Sequence, residues 1–190
     1  MRIQIIHIPA KSNEMTSPLF CMIMPSGLLA MADLLHKAGH TVEVVHEGME
    51  MFLSPKSGIV KIVKDFKPDI AAFSMHWHHQ MAAVRDAIGK VKKASPNTRI
   101  ALGGMTASFF FREVMRAWED VDFLIRGDGE IPLLALAKML EQNQDLSGIP
   151  NFSYRMADRV RHNSLTYQAD SAMMDRLEFS NVSLLRREDS

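Results

Sequence analysis

Short apolar runs and amphipathic helical patterns alternate five times between Ile3 and Leu140, and this alternation constrains the fold more than any other feature. Ile3 to Ile8 is almost continuously apolar, as a strand buried on both faces should be. A long loop, Pro9 to Pro25, follows. Ser26 is placed to cap a helix whose Leu28, Met31, Ala32 and Leu35 keep i, i+3, i+4, i+7 spacing, and Gly39 ends it. Thr41 to Val45 reads as the second strand, and Ile59, Ile62, Val63 and Phe66 mark a helix before Pro68. Asp69 to Met75 is the third strand, followed by a helix carrying Met81, Val84, Ile88 and Val91. Arg99 to Leu102 is the fourth, with Phe110, Val114, Met115 and Trp118 on the next helix. Val121 to Ile125 is the fifth. Pro132 then suits the first turn of a helix bearing Leu133, Leu136, Ala137 and Leu140.

Five βα units in series imply a parallel sheet with right-handed crossovers and helices on both faces. The expected class is α/β, a Rossmann-like (flavodoxin-like), doubly wound five-stranded parallel sheet of order 2-1-3-4-5 in a three-layer αβα arrangement. Its direction of winding would reverse between strands one and three. The expected division is a domain over residues 1–146 and an appendage over 147–190. In the latter, Asn151 to Arg155 and Arg159 to His162 suggest a hairpin, and the stretch from Asp170 reads as a linker.

Composition removes several classes of function. The 22 basic and 22 acidic residues balance, so no basic stripe argues for nucleic acid. The single cysteine, Cys21, excludes an internal disulfide and suggests a reducing, cytoplasmic setting. It also excludes an iron–sulfur cluster held by the chain's own thiolates. No signal peptide is visible, and no apolar run approaches the roughly 18 residues that would cross a membrane. The 15 methionines read as adaptable core filler.

Two neighbouring strands run into glycine-rich turns, Gly103-Gly104 and Arg126-Gly127-Asp128-Gly129-Glu130. Ligands of open α/β sheets sit beyond the carboxyl ends of strands, and glycine lets backbone approach them closely. The usual occupants do not fit. The loop after strand one, Pro9-Ala10-Lys11-Ser12-Asn13, lacks the glycines of a dinucleotide fingerprint. A phosphorylation receiver would carry acidic residues where this chain has His7 and Ser74. His76, His78 and His79 invite a metal reading, with His76 and His79 sharing a face and Glu130 across the rim. The plainer account is a polar helix start with solvated or capping histidines. Trp77 would be a core lid or a surface for a flat ligand. Glu130 favours the helix dipole in a first turn, with Asp128 as a cap. His7 reads as a satisfied core histidine, and Cys21 as a buried thiol.

In order along the chain, several segments resemble the N-terminal cobalamin-binding domain of B12-dependent radical SAM proteins. They are Pro25-Ser26-Gly27-Leu28-Leu29-Ala30 with Ala38-Gly39-His40, then Lys67-Pro68-Asp69-Ile70 and Leu102-Gly103-Gly104-Met105-Thr106-Ala107. Val121 to Glu130 is similar to that family's "D-x-x-x-x-G-E-G-E" run and is the most specific piece, and Ile149 to Arg155 resembles the segment leading to the catalytic domain. The resemblance implies that cobalamin lies over the strand carboxyl ends, its nucleotide tail entering between strands one and three. Ser74, Gly103 and Gly104 would line that slot. Ser17, Pro25, Ser26 and Gly27 would flank the corrin on one side, and Met75, His76, Trp77 and His79 on another. Met105 would follow the glycine pair, and Gly127, Gly129 and Glu130 would close the far side.

The D-x-H-x-x-G loop whose histidine ligates cobalt in other B12 domains is missing, so the resemblance implies base-off cobalamin without a protein histidine on cobalt. The C-x-x-x-C-x-x-C motif of the radical SAM barrel is absent too. The chain is therefore expected to be a domain of a longer enzyme, a methyltransferase or related radical enzyme, and a binding module rather than a catalyst. Its partner would be a radical SAM domain carrying a 4Fe–4S cluster and SAM. The exposed rim, with Trp77, Phe109 and Phe110, would dock that partner or self-associate without it. Two other readings compete: a metal-dependent enzyme built on His76, His79 and Glu130, and a ligand-free Rossmann-like interaction domain.

Overall fold

The computed structural model of the chain describes residues 1–9, 23–53, 58–157 and 159–186. Five parallel strands form its centre: β1 (Arg2–His7), β2 (Thr41–His46), β3 (Ile70–Ser74), β4 (Arg99–Gly103) and β5 (Phe123–Ile125). Their order is β2-β1-β3-β4-β5, as expected. In register, Ile5 lies between Val44 and Ala72, and Ser74 lies beside Gly103. Among the described residues the sheet has seven strands, not five. β6 (Phe152–Met156) pairs antiparallel with β5, and β7 (Arg159–His162) pairs antiparallel with β6. The hairpin foreseen in the appendage thus continues the same sheet. The short β5 would otherwise present a bare edge, which proteins avoid by pairing or covering it. Phe123, Phe152 and Tyr154 stack in sequence across this edge, with ring centroids 5.6 and 5.8 Å apart.

Helices α1 (Gly27–Lys37), α2 (Glu47–Leu53), α3 (Ile59–Phe66), α4 (Met81–Ala94), α5 (Met105–Phe109), α6 (Phe111–Ala117), α7 (Glu130–Glu141) and α8 (Ser171–Met174) occur in that order. On one face, Ile3, Ile5, Val44 and Phe123 pack with Leu28 and Leu35 of α1 and Leu133 and Leu136 of α7. On the other, Ile6, Phe73, Leu102 and Leu124 pack with side chains of α3, α4 and α6. Residues two apart on a strand share a face, so a strand covered on both sides reads as one apolar run. Each such side chain, fully buried, contributes roughly 1.5–3 kcal/mol.

The structure corrects several expectations. α2 had no clear signal in the sequence. The helix foreseen around Phe110 to Trp118 is divided, with Phe110 (φ −100°, ψ 28°) between α5 and α6. Ser26 makes no side-chain cap; its carbonyl accepts from Leu29 N–H at 3.0 Å. Gly129, not Asp128, occupies the cap of α7.

Nor is the stretch after Asp170 a loose linker where it is described. Asn181 donates to the buried Asp33 carboxylate at 2.8 Å, and Leu184 is buried against the α1 face. Leu185 bridges to Val44, and Arg186 pairs with Glu50 and Glu43. This strap crosses to the outer edge of β2. No helix among the described residues is long and apolar enough to cross a membrane.

Candidate functional site

Side-chain size at the centre of the sheet creates the site. Between α1 and α7, adjacent strands present Ile5, Ala72 and Ala101. The two alanines leave the floor low, and a bay of about 780 Å³ opens above them towards the strand carboxyl ends. Leu28 and Met31 of α1 and Leu133 of α7 form apolar walls. The volume lies within the roughly 300–1,000 Å³ typical of small-molecule sites.

The structure places most of the residues singled out in the sequence around this bay. Pro25, Ser26, Gly27, Ser74 and His76 line the bay. So do Gly103, Gly104, Met105, Gly127, Gly129 and Glu130. Ser17 lies outside the described residues. Met75, Trp77 and His79 do not line the bay. Met75 is fully buried in the opposite core, because it follows Ser74 in extended chain and successive side chains alternate in direction. Gln80 shapes the next turn: its Oε1 accepts from His76 and Trp77 N–H, both at 3.0 Å, and its Nε2 donates to the Ile8 carbonyl at 2.7 Å. Trp77 and His79 stack on each other, 6.1 Å apart and 6° from parallel, and His79 is exposed. His76, His79 and Glu130 are therefore not gathered at the bay. Among the described residues, no group of three or more potential metal ligands exists.

The two rim glycines after β4 do different things. Gly104 has φ 101° and ψ 170°, a region essentially closed to other residues. A Cβ there would come within 2.6 Å of the Met75 carbonyl oxygen. That same oxygen accepts Thr106 and Ala107 N–H at 3.1 and 3.3 Å. Gly104 thus serves the interlock of the β3 exit with α5, rather than leaving room for a ligand. A Cβ added at Gly103 would meet open space, its nearest neighbour the Ile125 carbonyl oxygen at 4.0 Å. Gly127, at φ 69°, donates its N–H to Ser108 Oγ at 2.8 Å, and Ser108 Oγ donates to the Gly104 carbonyl at 2.8 Å. One hydroxyl therefore ties both glycine turns together.

Beside the rim, His7 is fully buried and hydrogen-bonded through Nδ1 to Ser74 Oγ at 2.9 Å. Burial, then the nearby His46 and His76, lower its pKa to about 4. His46 lies 5.0 Å from it, ring to ring, and accepts Met49 N–H at Nδ1. Burial also lowers the pKa values of His46 and His76. This corner of the rim therefore holds neutral imidazoles.

The opposite corner is held by a segment absent from the sequence reading. Asn151 is buried, and its side chain accepts Thr166 and Tyr167 N–H at 2.9 and 3.0 Å while donating to Tyr167 O at 2.7 Å. Asp128 accepts Ala169 N–H at 2.8 Å. These bonds bring Leu165 to the bay. Glu130 Oε2 and Tyr167 Oη are both buried, and the Glu130 carboxylate lies beside the Tyr167 hydroxyl. Burial and the surrounding Glu130, Asp128 and Asp170 push the Tyr167 pKa up to about 12. Ala72 and Ala101 were within reach of sequence reasoning, since counting back by two from Ser74 and Gly103 finds them. Leu165 carried no such signal.

Comparison with known proteins agrees with this architecture. A family model described as "B12 binding domain" matches residues 22–137, more than half of the chain. The chain is 30% identical over 141 residues to an uncharacterized methyltransferase of Pyrococcus horikoshii, covering 73% of this chain and 29% of that protein. It is 24% identical over 140 residues to the hopanoid C-3 methylase of Methylococcus capsulatus, covering 73% of this chain and 26% of that one. The radical S-adenosylmethionine methyltransferase TsrM of Kitasatospora setae, solved with cobalamin and a 4Fe–4S cluster bound, superposes with a TM-score of 0.68. Sequence identity there is 15%, and the match covers 90% of this chain and 30% of TsrM. At that identity the likeness speaks for the fold.

Proposed function

The chain belongs to the B12-binding domain family, and from that premise we propose that its bay holds cobalamin, as the cobalamin-binding module of a B12-dependent radical SAM enzyme. The bay itself carries the reading: an apolar slot over Ala72 and Ala101 with a polar, glycine-rich rim, open where the winding of the sheet reverses. A bulky ligand with a flat aromatic tail and many polar substituents suits such a site. The slot between α1 and α7 would take the nucleotide tail, with Ser74 and the Gly103 backbone along it. Pro25 to Gly27, His76 and Gly127 to Glu130 would surround the corrin. Glu130, with its buried Oε2, provides acceptor capacity at this wall.

When bound, cobalamin supplies a cobalt centre that accepts and passes on a methyl group. The protein's own share is to bind and orient it and to keep water from its buried face. In the full enzyme that chemistry would be methyl transfer or related radical chemistry. The second partner would be a catalytic domain with a 4Fe–4S cluster and SAM. Met105 and Phe109, 64% and 79% exposed at the mouth of the bay, form an apolar margin for that domain. Uncovered, the same margin would favour self-association.

Cobalamin would bind base-off and without a protein nitrogen on cobalt, because the sequence lacks the D-x-H-x-x-G loop that supplies such a ligand, although His76 lines the bay. Reconstitution with hydroxocobalamin, desalting and a visible spectrum test both points. Retained corrinoid is expected, with a spectrum unchanged by His76→Ala. No retained corrinoid counts against the ligand, and a changed cobalt spectrum in the variant counts against the coordination.

A further inference from the structure

A guanidinium on the bay's wall lacks both a counter-charge and part of its hydrogen bonding. Arg126 follows β5 and lines the bay. Its head lies 4.7 Å from the centre of the Phe111 ring, and Arg112 lies 4.7 Å from the same ring. One Arg126 Nη donates to the Asn163 carbonyl, but Nε is buried and donates to nothing. Among the described residues, no carboxylate pairs with Arg126 or Arg112. Asp128 is near in sequence but is engaged by Ala169 N–H.

A guanidinium that lines the bay with no acid paired to it offers a site for an anionic oxygen. Burial, then Arg112, hold the Arg126 pKa below the usual arginine range, so the protein itself leaves this charge uncompensated. The planar fork of arginine matches phosphate geometry better than a point charge does. Cobalamin carries a single anionic group of this kind, the phosphodiester of its nucleotide tail, whereas its corrin side chains are neutral amides. Resting on the cobalamin reading above, we infer that Arg126 binds the phosphodiester of the cofactor's nucleotide tail and so selects corrinoids that possess one.

The test titrates the wild-type chain, Arg126→Gln and Arg126→Lys with cobalamin and with cobinamide, which keeps the corrin and lacks the nucleotide tail. Thermal melting of each variant reports on the fold. Arg126→Gln is expected to weaken cobalamin tenfold or more, and Arg126→Lys less. Cobinamide affinity should stay within about twofold. Unchanged cobalamin affinity overturns the inference. An equal loss for both corrinoids also overturns it, assigning Arg126 to the corrin or to the strap through Asn163. Where cobinamide binds too weakly to titrate, the phosphorus-31 resonance of bound cobalamin decides. A resonance that differs between wild type and Arg126→Gln supports the contact, and an identical one overturns it. A wild-type chain that binds neither corrinoid removes the cobalamin reading, and the inference with it.

Discussion

Ser108 Oγ accepts the Gly127 N–H at 2.8 Å, so a side chain on the helix after β4 holds the turn after β5 in place. Its own proton goes to the Gly104 carbonyl at 2.8 Å. Ser108→Ala removes both bonds and leaves the Gly127 N–H to water. The expected cost is about 1 kcal/mol of stability. A several-fold loss of corrinoid affinity should accompany it, because two rim turns are no longer coupled. Chemical denaturation and spectroscopic titration of the same variant check the two effects, and unchanged affinity would show that the turns are set by other contacts.

The paired glycines should separate under substitution. Gly104→Ala places a Cβ within 2.6 Å of the Met75 carbonyl oxygen, at a backbone angle of φ 101°. Backbone strain of this type costs on the order of 1–3 kcal/mol, before any steric shift. Gly103→Ala meets nothing closer than 4.0 Å and should leave stability nearly unchanged. Its added methyl would instead intrude on the bay. Urea midpoints should therefore fall for Gly104→Ala alone, while Gly103→Ala lowers corrinoid affinity. Equal stability of the two variants would contradict this division of roles.

Acid should weaken the fold through His7. Its folded pKa of about 4 lies below the ordinary 6.5. The unfolded chain then binds more protons between those values, so stability is complete above about pH 6.5 and falls as pH drops towards 4. Burial is the main cause, and His46 and His76 shift in the same direction. The loss attributable to His7 is on the order of 3 kcal/mol. Melting temperatures from pH 7 to pH 4.5 measure it, and His7→Gln should flatten the curve. A wild-type curve level across this interval would mean that His7 stays solvated.

The order of the parallel strands was legible because each buried strand is an unbroken apolar run separated by a helix signature. The extra strands were half legible. Phe152 and Tyr154 alternate with Ser153 as a hairpin strand does, but that they would close the β5 edge depends on a partner some thirty residues earlier. At the site, residue type was easier to read than direction. Met75, Trp77 and His79 fall in the same short stretch as Ser74 and His76, yet Met75 is turned into the opposite core, and Trp77 and His79 stack on each other outside the bay. Gly104 was recognised as necessary, but the reason is a backbone contact that no local pattern encodes. Leu165 reaches the bay only through the bonds of Asn151 to a segment with no periodicity.

The floor of the slot offers the most direct test. Ala72 and Ala101 are the small side chains that keep it open, and Ala101→Leu would fill it from the sheet side. Wild-type chain and Ala101→Leu, matched for melting temperature, should be incubated with hydroxocobalamin, desalted and assayed for bound corrinoid. The wild type should retain close to one equivalent and Ala101→Leu at least tenfold less. Equal retention by the two, or none by the wild type, would contradict the placement of cobalamin in the bay between α1 and α7.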